Sequence, residues 1–174
     1  MTTAPSIATT VPGSAKLNWL LGSYTWRRSA YALAALPVGL VSLPLALVGR
    51  SATTHRLQRG LAVRLLDAPI GEPARGSLVR TLAHSVLALP LQLLAAGLTG
   101  VLWADVLVRG LCYPLAEWGN DVSKVWGGPT MAGAWAAHFA VGVLTLAILL
   151  PLVRLLTNGQ SRLAVRLLGT GSKG

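Results

Sequence analysis

The amino-acid sequence predicts an all-α integral membrane protein, a helical bundle with three spans and short basic helices at the membrane surface. Three stretches of 21, 24 and 29 residues carry no charge, at Ser29–Gly49, Thr81–Ala104 and Val125–Val153. A helix needs about 20 apolar residues to cross the hydrocarbon core of a bilayer. Charged residues make up 11% of the chain, against about 25% in an average soluble domain. Continuous Leu- and Ala-rich stretches favour helices over the alternating pattern of a membrane β-barrel.

The composition also predicts how the chain is divided. Residues 1–26 form an N-terminal tail that starts with a segment rich in Thr, Ser, Pro and Ala. We expect a single membrane domain over residues 27–169, made of two related halves, 27–70 and 78–169. A short tail, residues 170–174, follows it.

An internal repeat supports the two halves. The hexapeptide Leu-Ala-Val-Arg-Leu-Leu occurs at Leu61–Leu66 and again at Leu163–Leu168. Upstream in each half, an Ala-Leu-Pro segment follows an arginine, Arg28 in the first half and Arg80 in the second. The repeated unit is therefore a membrane segment followed by a short basic helix.

Each hexapeptide lies in a predicted amphipathic helix, at residues 55–67 and 160–169. Leucines line one side of these helices, and arginines reach outward from them: Arg56, Arg59 and Arg64 in the first, Arg162 and Arg166 in the second. Such a helix lies along the membrane interface, with its apolar stripe at the acyl boundary. The alternative is a signalling helix that contacts a partner protein.

The charges of the connecting segments predict the orientation. The connection between the first two stretches carries six arginines and two acids, and the C-terminal tail carries four basic residues and no acid. Segment Asp105–Lys124 carries three acids and two basic residues. Since Lys and Arg concentrate on the cytoplasmic side, we expect the C-terminus and both basic helices there, beside the anionic head groups of an inner membrane.

The first stretch leaves two topologies open. Three plain spans put the N-terminus outside together with Arg27 and Arg28, against the charge rule. The alternative is a re-entrant first stretch bent at Pro37 and Pro44, which gives four passes arranged as two hairpin repeats. A lipid-exposed re-entrant backbone is costly, because its polar groups need partners inside the protein.

Two rows of small residues at spacing four predict close packing of the second and third spans. They are Ala96, Gly100 and Ala104 on the second span, and Ala132, Ala136 and Ala140 on the third. Small side chains let helix backbones approach closely in a membrane. We expect these spans to pack on each other through the rows, or one row to meet a second copy of the chain in a homodimer.

Residues that could carry chemistry are scarce, so we expect no catalytic, cofactor or metal site. The histidines lack metal-ligand spacing, and the sequence has no phosphate loop or nucleophile elbow. His138 lies within the third stretch, where a polar group is a functional candidate. The basic residues flank apolar segments without interleaved aromatics, which argues against nucleic-acid binding.

Candidate recognition residues collect between the second and third spans. They are Trp103, Asp105, Arg109, Tyr113, Glu117, Trp118 and Asp121. One interpretation is an aromatic belt at the outer interface, with solvated charges between the rings. The other is a surface for a small ligand or a partner, with the rings as anchors.

The motifs together resemble a known family. Leu36–Leu40 reads Leu-Pro-Val-Gly-Leu, Arg64–Ile70 reads Arg-Leu-Leu-Asp-Ala-Pro-Ile, and a second copy closes at Arg166–Gly169. These segments resemble the sensor domain at the N-terminus of many actinobacterial membrane histidine kinases. The resemblance covers most of the chain, and it implies two hairpin-like halves, signal transduction in a two-component system and no catalytic residues.

Two functional expectations follow from the sequence. Because the chain reaches Gly174 without a phosphoacceptor helix or an ATP-binding domain, we expect a sensor that acts through a separate membrane or cytoplasmic protein. The alternative is a structural or accessory subunit of a larger membrane complex, such as a transporter or a respiratory assembly.

Overall fold

The computed structural model describes residues 22–71 and 77–169, and every regular element in these ranges is a helix. The elements are α1 at Ser23–Leu47, α2 at Ser51–Leu66, α3 at Leu78–Ala104, a π-helical turn at Asp105–Leu111, α4 at Tyr113–Ala116 and α5 at Met131–Leu168. Three helical segments are long and apolar enough to cross a membrane: α1, α3 with the π-helical turn, and α5. The predicted all-α fold with three candidate spans is confirmed.

Helices α1 and α2 form an antiparallel hairpin. The Thr54 hydroxyl, near the start of α2, lies 3.4 Å from the Ser42 carbonyl oxygen, near the end of α1. At the other end of the hairpin, the Arg27 guanidinium binds the Asp67 carboxylate just beyond α2. Helix α2 therefore packs along α1 as part of the bundle, whereas the sequence suggested a helix lying apart at the membrane surface.

The buried face of α2 is small and polar, and Leu57 of the predicted leucine stripe lies outside it. Thr54, His55, Gln58 and Ala62 are buried, whereas Leu57 is 48% exposed. The difference arises because α1, α3 and α5 surround this face closely and offer hydrogen-bond partners to its polar side chains.

The second basic helix is the C-terminal end of α5, and it is not a separate element. Helix α5 runs without a break for 38 residues. Its last turns keep Gln160, Ala164 and Leu168 buried against the rest of the bundle. Ala164 and Leu168 belong to a core cluster that also contains Tyr31 and Ala62. These contacts hold the basic end of α5 on the bundle.

The helices are staggered along the bundle. Helices α1 and α5 run parallel, because the Thr25 and Arg28 side chains of α1 bond with the Arg154 and Thr157 side chains of α5, respectively. The apolar part of α1 follows Arg28, whereas the apolar part of α5 precedes Arg154. These two apolar segments therefore extend in opposite directions from the level of the two arginines.

The apolar part of α5 packs on the π-helical turn that extends α3. Trp135 Nε1 donates a hydrogen bond to the Gly110 carbonyl oxygen at 2.7 Å. A Cβ added at Gly142 would lie 3.7 Å from the Gly110 Cα, so the two backbones approach closely at these glycines. This packing keeps Asp105–Leu111 helical, whereas the sequence placed these residues in the outer loop.

The start of α1 differs from the expected boundary, and most of the two predicted tails lies outside the described residues. Helix α1 begins at Ser23, before the expected boundary at Arg27, because contacts with α3 and α5 order its first turn. The rest of the N-terminal tail, 1–21, and the C-terminal tail, 170–174, lie outside the described residues.

The predicted small-residue rows are not the contact between α3 and α5 within one chain. Gly100, Ala104, Ala132, Ala136 and Ala140 are exposed, and Ala96 is half-buried. The contact instead uses residues such as Ala95 and Val153, which are fully buried in one cluster. Both helices are apolar on all sides, so the sequence pattern alone did not distinguish the inner face from the outer one. Contact of either row with a second copy stays a prediction.

Candidate functional site

An arginine at the start of α1 holds the C-terminal end of α2. The Arg27 guanidinium donates to both carboxylate oxygens of Asp67, at 2.7 and 2.8 Å, and to the Arg64 carbonyl oxygen. Asp67 ends the helix in the left-handed region with φ 51°, a conformation that Asp tolerates better than most residues. The hydrogen bond from Arg27 holds the pKa of Asp67 below its usual value. We call this group the first arginine clamp.

The start of α3 holds the end of α5 in the same way. Arg80 Nη2 donates to the carbonyl oxygens of Arg166 at 3.0 Å and Gly169 at 2.6 Å. Arg64 and Arg166 occupy the same position in the two hexapeptides. The last carbonyls of a helix have no partner within it and attract cations. We call this group the second arginine clamp.

The two clamp arginines have the same spacing from the two Ala-Leu-Pro segments. Arg27 and Arg80 each lie eight residues before the alanine that opens the Ala-Leu-Pro segment, Ala35 in one half and Ala88 in the other. Arg80 therefore corresponds to Arg27, whereas the sequence comparison paired it with Arg28.

Between the clamps lies a buried network of polar side chains. Gln58 Nε2 donates to Ser85 Oγ at 2.8 Å, and Ser85 Oγ donates to the Thr81 carbonyl oxygen at 2.9 Å. His84 Nδ1 lies 2.9 Å from Gln58 Oε1. Because that oxygen only accepts, Nδ1 is the donor and carries the proton. His55 Nε2 extends the network to α5 through the Leu168 carbonyl oxygen at 3.0 Å.

A second buried glutamine occupies the matching place in the other half. Gln160 Nε2 donates to the Leu91 carbonyl oxygen at 2.9 Å. Gln58 and Gln160 each lie three residues before the hexapeptide. The repeat could have identified both residues, because a polar residue kept at the same position in two apolar copies indicates a buried partner.

The arginines of the two basic helices have different surroundings. Arg56, Arg64, Arg162 and Arg166 are exposed. Arg59 is half-buried and donates to the carbonyl oxygens of the loop after α2, at residues 70 and 71. Four of the five predicted arginines therefore face outward, and the fifth holds a loop.

The predicted outer recognition residues lie in several separate local arrangements. Asp105 and Arg109 are 3.8 Å apart on the π-helical turn. Tyr113 is buried and stacks on His138 with ring centroids 4.2 Å apart. Trp118 is 81% exposed. The seven residues therefore do not gather around one pocket in the described part of the chain.

The two remaining acids of that set form local turns. Glu117 accepts a hydrogen bond from Asn120 Nδ2 at 2.9 Å. Asp121 accepts one from the Ser123 backbone N–H at 2.9 Å, and this bond lowers the pKa of Asp121. Both contacts are typical of loop structure, and neither side chain is held toward a ligand.

Trp103 belongs instead to an apolar groove beyond the start of α1. Its ring stacks on Trp26 with centroids 4.3 Å apart. The groove has a volume of about 460 Å³ and continues between the π-helical turn and α5, past Leu107, Phe139 and Leu146. Its lining suits an apolar group and offers almost no hydrogen bonds for a polar substrate.

Comparisons with protein-family models, curated proteins and solved structures found no match for this chain. The resemblance to histidine-kinase sensor domains therefore depends on the sequence motifs alone. Among the residues that the structure describes, no three His, Cys, Asp or Glu side chains come together.

Proposed function

We propose that this chain is a non-catalytic membrane sensor or regulatory module that acts through a separate signalling partner. The observation that carries this proposal is the pair of arginine clamps. Each clamp connects the first turns of an apolar helix to the C-terminal end of a basic one. A stimulus that shifts α1 or α3 would therefore move α2 or the end of α5.

The proposed architecture is two copies of one unit, each an apolar helix with a later basic helical segment, which is α2 in the first copy and the end of α5 in the second. The matched clamps and the matched buried glutamines support it. Equivalent residues make equivalent contacts, because Arg27 reaches the carbonyl of Arg64 and Arg80 reaches that of Arg166. This arrangement agrees with the two hairpin-like halves that the family resemblance implies.

The proposed output surface is the set of exposed arginines on the basic helices. Arg56, Arg64, Arg162 and Arg166 give it a positive charge. We place it in the cytoplasm, with the C-terminus, in a bacterial inner membrane, because loops rich in Lys and Arg stay on that side. Such a surface suits an acidic face of a partner protein or anionic lipids.

Purification from native membranes in a mild detergent tests the proposal. A signalling partner should co-purify with the wild-type chain and with Arg109→Gln, which removes an exposed arginine far from the clamps. Arg80→Gln should reduce the yield of partner, because it frees the end of α5. Recovery of the wild type only as a monomer without a partner would contradict the signalling role.

The exposed small-residue rows favour one other candidate function, an accessory subunit of a larger membrane complex. Ala132, Ala136 and Ala140 face outward on α5, where they offer a smooth surface to a helix of another protein. Stoichiometric retention distinguishes the two functions. An accessory subunit stays with its complex after mild extraction, whereas the association of a sensor depends on the stimulus.

A further inference from the structure

Two arginines from different helices converge inside the bundle near the start of α1. Arg28 is 7% exposed and Arg154 is 9% exposed. Their guanidinium carbons lie 4.4 and 5.4 Å from the centre of the same ring, that of Tyr24. A pair of buried cations around one aromatic ring is unusual in a chain with so few charges, because burying a charge is costly.

Three bonds of the two guanidinium groups go to neutral oxygens. Arg28 Nη1 donates to Thr157 Oγ1 at 2.7 Å and to the Arg154 carbonyl oxygen at 3.3 Å. Arg154 Nη2 donates to Thr25 Oγ1 at 2.8 Å. These bonds fix the direction of each side chain, and the two that Arg28 makes do not neutralise its charge.

The acid of the first clamp does not neutralise Arg28. Asp67 binds Arg27, the neighbour of Arg28, and lies on the α2 side of the bundle. In the described part of the chain, no carboxylate forms an ion pair with Arg28. Its Nε is buried and has no hydrogen-bond partner among the described residues. Arg28 therefore has a donor and a full positive charge available for an anion.

We propose that Arg28 and Arg154, together with Tyr24, form a binding site for a phosphate group. The planar guanidinium group presents donors in a fork that matches phosphate oxygens. Two such groups at one place can bind different oxygens of the same phosphate. Tyr24 is 52% exposed, so displacement of its ring opens the site from the surface. The phosphate comes from an anionic lipid head group or from a soluble phosphate.

The position along the bundle agrees with a head-group phosphate. Arg154 directly follows the 29-residue uncharged stretch that ends at Val153. A stretch of this length crosses the hydrocarbon core, so its end lies where lipid phosphates are found. Arg28 reaches the same level from α1, because it bonds to Thr157 one turn further along α5.

The other half of the chain indicates that the fold itself does not require these charges. This step depends on the two-copy architecture proposed above. If Arg27 corresponds to Arg80, the residue equivalent to Arg28 is Thr81. If Arg64 corresponds to Arg166, the residue equivalent to Arg154 is Ala52. Both counterparts are neutral. The two arginines therefore occur in one of the proposed copies only, as expected of a ligand site.

Lipid binding to the purified full chain in a neutral detergent tests the site. The probes are phosphatidylglycerol, phosphatidylcholine and inorganic phosphate, and the readouts are native mass spectrometry and quenching of tryptophan fluorescence. Wild type should bind phosphatidylglycerol, and Arg28→Gln should bind it about tenfold or more weakly, because it loses charge-assisted hydrogen bonds. Arg50→Gln makes the same charge change at an exposed position just before α2 and should leave the affinity unchanged.

The outcomes separate the sources of the phosphate. Competition by millimolar inorganic phosphate identifies a soluble anion, whereas binding of the lipid alone identifies a head group, and both results support the site. Equal affinity in wild type and Arg28→Gln overturns it. If Arg28→Gln fails to fold, Arg28→Lys keeps the charge but removes the fork. That variant should still lose several-fold in affinity, and wild-type affinity would again overturn the site. The measurement needs no signalling partner, so a negative result would overturn the phosphate site and leave the proposed sensor role untouched.

Discussion

Replacing Gln58 by leucine tests the buried polar network most directly. Gln58 is 4% exposed and connects α2 to α3 through two side-chain hydrogen bonds, from its amide to Ser85 and from His84 to its carbonyl oxygen. Leucine has a similar size and no hydrogen-bonding group. Because the volume changes little, the substitution mainly removes the two bonds and leaves the protonated ring nitrogen of His84 buried without an acceptor.

The expected loss of stability follows from these partners. A buried donor left without an acceptor costs about 1–3 kcal/mol. Ser85 keeps its bond to the Thr81 carbonyl, so its loss is smaller, near the average of about 0.6 kcal/mol for a side-chain hydrogen bond inside a membrane protein. The two contributions add to a destabilisation of about 1.6–3.6 kcal/mol for Gln58→Leu.

The matched control is Gln160→Leu at the equivalent position of the second half. Gln160 makes one bond, to the Leu91 carbonyl, which also accepts the backbone hydrogen bond of its own helix. Its replacement should therefore cost about 0.5–1 kcal/mol. Both variants are compared with wild type by reversible unfolding in mixed detergent micelles, followed by tryptophan fluorescence.

A double-mutant cycle with His84→Phe isolates the central bond. Removing both partners should cost at least about 1 kcal/mol less than the sum of the single changes, because no unsatisfied group remains. A Gln58→Leu variant as stable as Gln160→Leu, or strictly additive losses in the cycle, would refute the proposed bonding in the network.

Three further predictions concern orientation, packing and pH. In a cysteine-free background, a cysteine at Asp121 should react with an impermeant thiol reagent outside the cell. A cysteine at Ser51 should be protected, because the arginine-rich connection stays inside. Labelling at Ser51 from outside would contradict the orientation. Gly39→Ala should destabilise the protein by about 1–3 kcal/mol, since the added Cβ would collide with the buried side chain of Gln92. Gly97→Ala, with open space around it, should be neutral or stabilising in thermal unfolding. The first arginine clamp lowers the pKa of Asp67. The stabilisation that the clamp gives is therefore present above the usual carboxyl range near pH 4 and is lost as the pH falls through the lower folded-state pKa. Asp67→Asn should remove this acid dependence from unfolding curves measured between neutral pH and pH 2, and an unchanged dependence would count against the clamp.

Hydropathy and the hexapeptide were sufficient to predict the helical membrane class and three candidate spans. Uncharged length is a local property, so three long stretches can be found without any knowledge of contacts. The hexapeptide likewise located the basic helices, because Leu61–Leu66 and Leu163–Leu168 lie at the ends of α2 and α5. The sequence did not show that the first of these helices folds back along α1 and that the second continues a span.

The buried residues of the candidate sites were decided by tertiary structure. Arg28 and Arg154 lie far apart in sequence and meet only because α1 and α5 run parallel with this stagger. A charged residue beside an apolar stretch has the same sequence pattern whether it faces lipid phosphates, solvent or another helix. The sequence therefore placed Arg28 beside the first apolar stretch without showing that its side chain is buried.

The sequence by itself determined that this chain is a helical membrane protein with basic segments, because bilayer thickness imposes a length and a composition on every span. Tertiary structure alone decided which side of each span is buried. A span that is apolar all round carries no periodic signal for its inner face, so the exposed row at Ala136 and the buried Ala95 looked alike. Only the fit of neighbouring helices, with a hydrogen-bond partner for each polar group they enclose, distinguishes the two.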